Sequence, residues 1–335
     1  MHMADALIST GTAIVMYGAS AGAAGYSLKK VKLENEPKMI PVMGVMGAFV
    51  FAAQMLNFTI PGTGSSGHLC GGMMLSALLG PCGGFLTMIG VLLLQCLIFA
   101  DGGILALGAN IWNMAFYGCF IGALLIWRPI MRKGASKKKI IIASILGCVI
   151  TLQMGAFSVV LETMVSGISE LPFVLFAGVM QPIHLAIGLV EGLITAAVLS
   201  FIYEARPDML WGVGSTESDH KKSRLSFAKL LVVLLVMAAV MGFGISKYAS
   251  ENPDGLEWSI EKMTGSTELE SQGPIYEMAE KIQSITAIFP DYAPKEAEDG
   301  ESSGGFTGII VAVVAVAAVY GGSVVIRRRK KEKEE

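Results

Sequence analysis

Apolar runs of roughly 20 residues recur along the 335-residue chain, each long enough to cross the hydrocarbon core of a bilayer. In that solvent every main-chain polar group must find its partner inside the protein, which leaves only helices or a closed barrel. The runs are continuously apolar instead of alternating with period two, so helices are expected. The chain therefore reads as an all-α polytopic membrane protein with about nine transmembrane helices. They are placed at Ala4–Ser27, Met39–Phe58, Leu69–Gly80, Phe85–Ala100, Ile104–Trp127, Ile140–Val165, Phe173–Tyr203, Phe227–Ile245 and Phe306–Ile326. With 53% hydrophobic and only 16% charged residues, a soluble domain is excluded. No basic region precedes the first run, Asp5 lies near its start and lysines follow it, a pattern expected of an uncleaved span.

Basic residues favour the cytoplasmic side of span ends. They cluster at Lys29 to Lys32, Arg128 to Lys139, His220 to Arg224 and Arg327 to Lys333. Placing the first two clusters inside requires an even number of crossings between them. Met39–Phe58 and Ile104–Trp127 supply two, so Leu69–Ala100, interrupted at Gly80-Pro81, crosses twice or re-enters. Both options put the N-terminus and the Pro61–Leu69 loop outside and the C-terminus in the cytoplasm. The expected location is the cell membrane.

Polar residues in such a chain are few, and four histidines stand out. Met1-His2 forms a short chelator. The amine, the His2 amide nitrogen and His2 Nδ1 close two rings around one metal and fill three corners of a square plane, a geometry suited to Ni(II) or Cu(II). His2 is otherwise an arbitrary second residue. His68 ends the loop Gly62-Thr63-Gly64-Ser65-Ser66-Gly67-His68 on the same side of the membrane, either as a solvated turn residue or as the fourth ligand. Asp101 lies on that side too, as an orienting carboxylate or a helix cap. His184 and Glu191, seven residues apart, share one helix face, and His184 reads either as a residue hydrogen-bonded between helices or as a metal ligand; His220 sits in a polar linker. Cys70, Cys82, Cys96, Cys119 and Cys148 have neither zinc-ligand nor disulfide spacing and read as packing residues.

The organisation changes after residue 211. A first module (1–211) is followed by a cytoplasmic linker (212–225) and a second module (226–335). Two spans of the second module flank an outer segment, 246–305, with thirteen carboxylates and four lysines. Its tail from Pro290 to Gly305 has a disordered composition.

Met1-His2-Met3, Gly64-Ser65-Ser66-Gly67-His68-Leu69, Phe99-Ala100-Asp101-Gly102-Gly103, Leu107-Gly108-Ala109-Asn110 and His184-Leu185-Ala186-Ile187-Gly188-Leu189-Val190-Glu191-Gly192 are motifs in a fixed order. Through them the first module resembles the M-type substrate-capture component of energy-coupling-factor (ECF) nickel/cobalt importers. Asn252-Pro253-Asp254-Gly255-Leu256-Glu257-Trp258 and Pro290-Asp291-Tyr292-Ala293-Pro294 make the second module similar to the small N-type component, so the chain resembles an M–N fusion. The resemblance implies a metal held by the Met1 amine, the His2 amide and imidazole, and His68. Ser65, Ser66, Asp101 and Asn110 are candidates for support around these ligands, and Glu191 for a buried structural contact. Gly67-His68-Leu69 and Asp101-Gly102-Gly103 fit the nickel-type pattern rather than the cobalt-type Ser-His-Pro and His-Gly-Gly. Nickel is thus the expected cargo, cobalt the other ion the resemblance admits, and no organic cofactor is expected. Cys70, beside the loop histidine, departs from the pattern.

No Gly-x-x-x-x-Gly-Lys-Ser/Thr phosphate loop occurs, so ATP must act through other chains. The resemblance implies a transmembrane coupling subunit (T/Q-type) and a cytoplasmic ATPase (O-type). Small residues at Gly18, Ala21, Gly22 and Gly25, and at Gly44, Ala48 and Ala52, suit close helix approach, to those partners or within the chain. Two other classes compete: a stand-alone secondary divalent-metal permease, and a membrane metalloenzyme built on His184 and Glu191. The second lacks a His-Glu-x-x-His helix.

Overall fold

The computed structural model describes residues 1–31, 38–169, 171–213, 225–267, 269 and 271–292. Helices α1 (Thr10–Lys30) and α2 (Met39–Gln54) lead to a short antiparallel pair, β1 (Phe58–Ile60) and β2 (Ser65–Gly67). Next come α3 (Gly72–Phe99), α4 (Leu107–Met131), α5 (Lys137–Ser166) and α6 (Phe173–Ala205). The second module contributes α7 (Phe227–Phe243), α8 (Gly255–Thr264) and α9 (Pro274–Thr286). Four helices, α3 to α6, are long and apolar enough to cross a membrane, and α2 and α7 are shorter apolar helices. The run at Phe306–Ile326, the linker from residue 214 to 224 and His220 lie outside the described residues.

Helix starts follow from side-chain chemistry. The hydroxyls of Ser9, Ser136 and Ser226 accept the main-chain N–H of Thr12, Lys139 and Lys229, each satisfying one of the orphan donors of a first turn. Along α5 and α6 one face is buried, through residues such as Ala143, Gly147, Leu152, Ile187 and Thr195. The other exposes Ile141, Leu146, Ile150, Phe157, Leu185, Leu189 and Leu193. Both faces are apolar, as expected of helices packed on one side and bathed in lipid on the other.

The first helix begins later than expected. Residues 1–9 precede it, with one short turn at Asp5–Leu7, and Met1, Met3, Leu7 and Ile8 are buried among the helices. Leu69–Ala100 breaks where expected. It forms a single helical run, α3, but Gly80 inside it has φ 70° and ψ 172°, which is open essentially to glycine alone. A Cβ on Gly84 would lie 2.9 Å from the main-chain nitrogen of Ser76. Residues eight apart along a straight helix are about 12 Å apart, so the chain reverses at Gly80 and the two pieces pack side by side. Trp211 seals the bend, donating its main-chain N–H to Ala77 O and holding its indole against Gly80.

The basic ends share one side of the bundle. Cys82, just past the bend, lies against Ser27 and Lys30. Tyr203 bonds Ala135, and Lys137 pairs with Glu204. The outer segment was expected to be disordered from Pro290. In the structure Pro290–Tyr292 is a short turn, with Tyr292 stacked on Phe99 at 4.8 Å and Phe289 N–H bonded to Ile98. Residues beyond 292 lie outside the described residues. Because Gly84 meets main chain instead of a movable side chain, Gly84→Val should destabilise the bundle by about 1–3 kcal/mol, read as a lowered unfolding midpoint in detergent.

Candidate metal centre

The N-terminal segment runs into the outer end of the bundle and is held there by its own main chain. Asn110 accepts Met3 N–H at 2.7 Å and donates to Met3 O at 3.1 Å, and Gly103 N–H also reaches Met3 O. The approach at Gly103 is so close that a Cβ there would fall 1.8 Å from Asp5 Oδ1. Glycine at 103 is thus required by the path of the N-terminus.

This anchoring brings the Met1 amine to 2.9 Å from His68 Nε2. Both residues are buried. The His2 ring stacks on the His68 ring, with centroids 5.3 Å apart. His2 Nδ1 faces Asp101 Oδ1 at 3.0 Å, and its Nε2 faces Gln95 Oε1 at 3.2 Å. Burial pushes the His2 imidazole down to about 4, against the opposing pull of Asp101, which favours the uncharged ring at neutral pH. His68 Nδ1 lies 3.0 Å from Leu69 O, which fixes the N–H there and leaves Nε2 as the lone-pair nitrogen.

One carboxylate completes the group. Asp254 Oδ2 lies 2.5 Å from the Met1 amine and 3.6 Å from His68 Nε2. Its Oδ1 caps α8 by accepting the N–H groups of Leu256 and Glu257, with Glu257 returning the bond to Asp254 N–H as a capping box. Burial alone would raise the Asp254 carboxyl. The Met1 ammonium and His68 outweigh it and hold the group well below the usual carboxylate range.

The other expected residues divide. Asp101 touches His2, and its other oxygen accepts the Tyr292 hydroxyl. Asn110 positions the N-terminal main chain. Ser65 and Ser66 do not bond the histidines. Ser66 N–H and hydroxyl bind Pro253 O and Asn252 O, fastening the loop to the second module, while Ser65 bonds Ser66 O within the loop. Glu191 accepts Cys70 N–H at 2.8 Å and Gly71 N–H at 2.9 Å, holding the turn after His68. Among the described residues His184 makes no bond between helices; its Nδ1 lies 2.8 Å from Met180 O in its own helix. Asp254 and Gln95 escaped sequence reasoning, although Asp254 stands in a quoted motif. Among the described residues, no three His, Cys, Asp or Glu side chains converge to hold a metal by themselves.

Residues 2–209 match the family model described as "Cobalt uptake substrate-specific transmembrane region". The chain belongs to this family. Residues 228–328 match the PDGLE domain, whose five letters are spelled by Pro253 to Glu257. The "Putative fused nickel transport protein NikMN" of Archaeoglobus fulgidus is 36% identical, over 87% of this chain and 88% of that protein. The "Cobalt transport protein CbiM" of Geobacter sulfurreducens is 25% identical over 82% of this chain and 81% of its own. A crystal structure of a transition metal transporter superposes with TM-score 0.55 and 29% identity, covering 62% of this chain and 94% of its own. This member of the cobalt-uptake family is an M-type module fused to an N-type one, a multi-pass cell-membrane transport component and not an enzyme.

Removing the Asp254 side chain strips α8 of its cap, worth about 1 kcal/mol, and leaves the buried amine without its carboxylate. In Asp254→Ala, amide hydrogen exchange across Gly255–Thr264 should therefore accelerate, while exchange across α5 stays unchanged.

Proposed function

We propose that this chain is the substrate-capture component of an ATP-driven ECF-type importer, binding Ni(II) at the outer face and delivering it inward. Co(II) is the second cargo to be tested. The ligands are the Met1 amine, the His2 amide nitrogen, His2 Nδ1 and His68 Nε2. The observation that carries this reading is the 2.9 Å approach of the Met1 amine to His68 Nε2, two nitrogens that sequence alone separates by 67 positions. Four nitrogens in a plane suit Ni(II) better than zinc or magnesium. The modules are residues 1–211 and 226–335, joined by a cytoplasmic linker at 212–225. The partners are a transmembrane coupling subunit and a cytoplasmic ATPase.

Metal capture exchanges contacts instead of filling a finished site. The amine must give up its proton and with it the ion pair to Asp254. The His2 ring must turn so that Nδ1 leaves Asp101 and joins the chelate; Asp101 is then placed to accept the other ring N–H, the usual way a metal-bound imidazole is oriented.

His68→Ala, or one residue added before Met1, should abolish nickel uptake by cells carrying the partner subunits, with membrane insertion unchanged. Normal uptake by both variants would overturn the ligand set. Uptake by the chain alone in vesicles, driven by a proton gradient without ATP, would instead favour a secondary permease. Because the amine and amide both lose protons on binding, apparent nickel affinity should fall by about 100-fold per unit of pH decrease while both are protonated. His2, already uncharged above about pH 4, adds nothing to that slope near neutrality. Isothermal titration at three pH values checks this.

A further inference from the structure

Behind the N-terminal nitrogens lies a small cavity lined by Met1, His68, Cys70, Met114, His184 and Asp254, among others. His184 is buried on α6, and its ring is oriented by Nδ1, which lies 2.8 Å from Met180 O. That bond places the proton on Nδ1 and the lone pair on Nε2. Among the described residues, Nε2 has no hydrogen-bond partner. A buried polar atom left unpaired costs about 1–3 kcal/mol, and this one belongs to a ring that lines the cavity beside the Met1 amine and His68. The His184 Cε1 edge packs against Gly255, where a Cβ would sit 3.1 Å away, one residue from Asp254. The Met1 amine, His68 and Asp254 are near enough to act on the ring electrostatically.

A second cavity shares Cys70, Met114 and Leu152 with the first and is lined further by Met73, Cys148 and Glu191. Glu191 lies seven residues beyond His184 on the same helix, about two turns further toward the basic end of the bundle. Thiols, thioethers and a carboxylate thus follow an imidazole along one path.

From this geometry we infer that His184 Nε2 is a transit ligand: it receives the divalent ion from His68 as the ion leaves the N-terminal chelate for the inner cavity. The inference rests on the reading of Met1, His2 and His68 as the capture site. It assigns His184 to delivery and leaves capture to the other three. The step is an exchange of nitrogen donors on a divalent ion, with no change of oxidation state.

The test is His184→Gln in the full chain. Glutamine's amide N–H can still donate to Met180 O, but it removes the imidazole lone pair. Nickel binding to the purified chain should stay within about twofold of the parent, while nickel uptake with the partner subunits falls by about tenfold or more. Uptake close to the parent level would overturn the inference, showing that the bond to Met180 is all that His184 provides. Equal loss of binding and uptake, with the unfolding midpoint retained, would also overturn it, by assigning His184 to the capture site. Neither outcome touches the reading of His68. That reading is tested separately, and it fails if His68→Ala, measured in parallel, binds nickel normally. Should His184→Gln lower the unfolding midpoint, His184→Asn is measured with the same criteria.

Discussion

A charged amine buried at the end of a helical bundle has to be neutralised, because an unpaired charge in a low-dielectric interior is far costlier than any packing gain. Asp254 supplies the neutralising carboxylate, and it comes from the other module, 253 residues away. The rest of the outer face is arranged around that pair. Asp254 caps α8, Ser66 grips the main chain at Asn252 and Pro253, and Tyr292 stacks on Phe99 while bonding Asp101. The N-type module is thus fastened to the M-type module through the atoms that surround the proposed ligands.

The same arrangement gives the proposed metal site its polarity. His2 and His68 present uncharged or lone-pair nitrogens, while Asp101 and Asp254 stand one contact further out. Carboxylates directly on the ion would favour hard cations; nitrogen donors backed by carboxylates favour later transition metals and orient the rings. Asn110 and Gly103 serve the same end from below, since both grip Met3 O and so set where the first two residues lie.

Much of this was legible in the chain, for identifiable reasons. Continuous apolar runs announced the helices, and the amine–His2 pair suggested the proposed chelator, whose geometry is local to two residues. Gly80-Pro81 and the parity of the basic clusters pointed to a chain that turns back, and the close approach of Gly84 to Ser76 places the reversal at Gly80. Asp254 was recognised as part of a motif, not as the partner of Met1, because contact across 253 residues leaves no trace in spacing. Pro290–Tyr292 was misread for a related reason: its neighbours are polar and proline-rich, and the docking of Tyr292 on Phe99 depends on a surface made elsewhere. His184 looked like a residue bonding between helices, whereas its bond is to its own helix and its other nitrogen faces a cavity.

The way α9 sits against the bundle has a consequence for how the N-terminus is held. Gln283 donates to Cys96 O and Gly102 O, and Tyr276 to Ile8 O, so the second module fastens both the turn that grips Met3 and the segment leading away from it. The path of the first residues is thereby set from both modules, and a chain cut between them would keep only part of those fastenings.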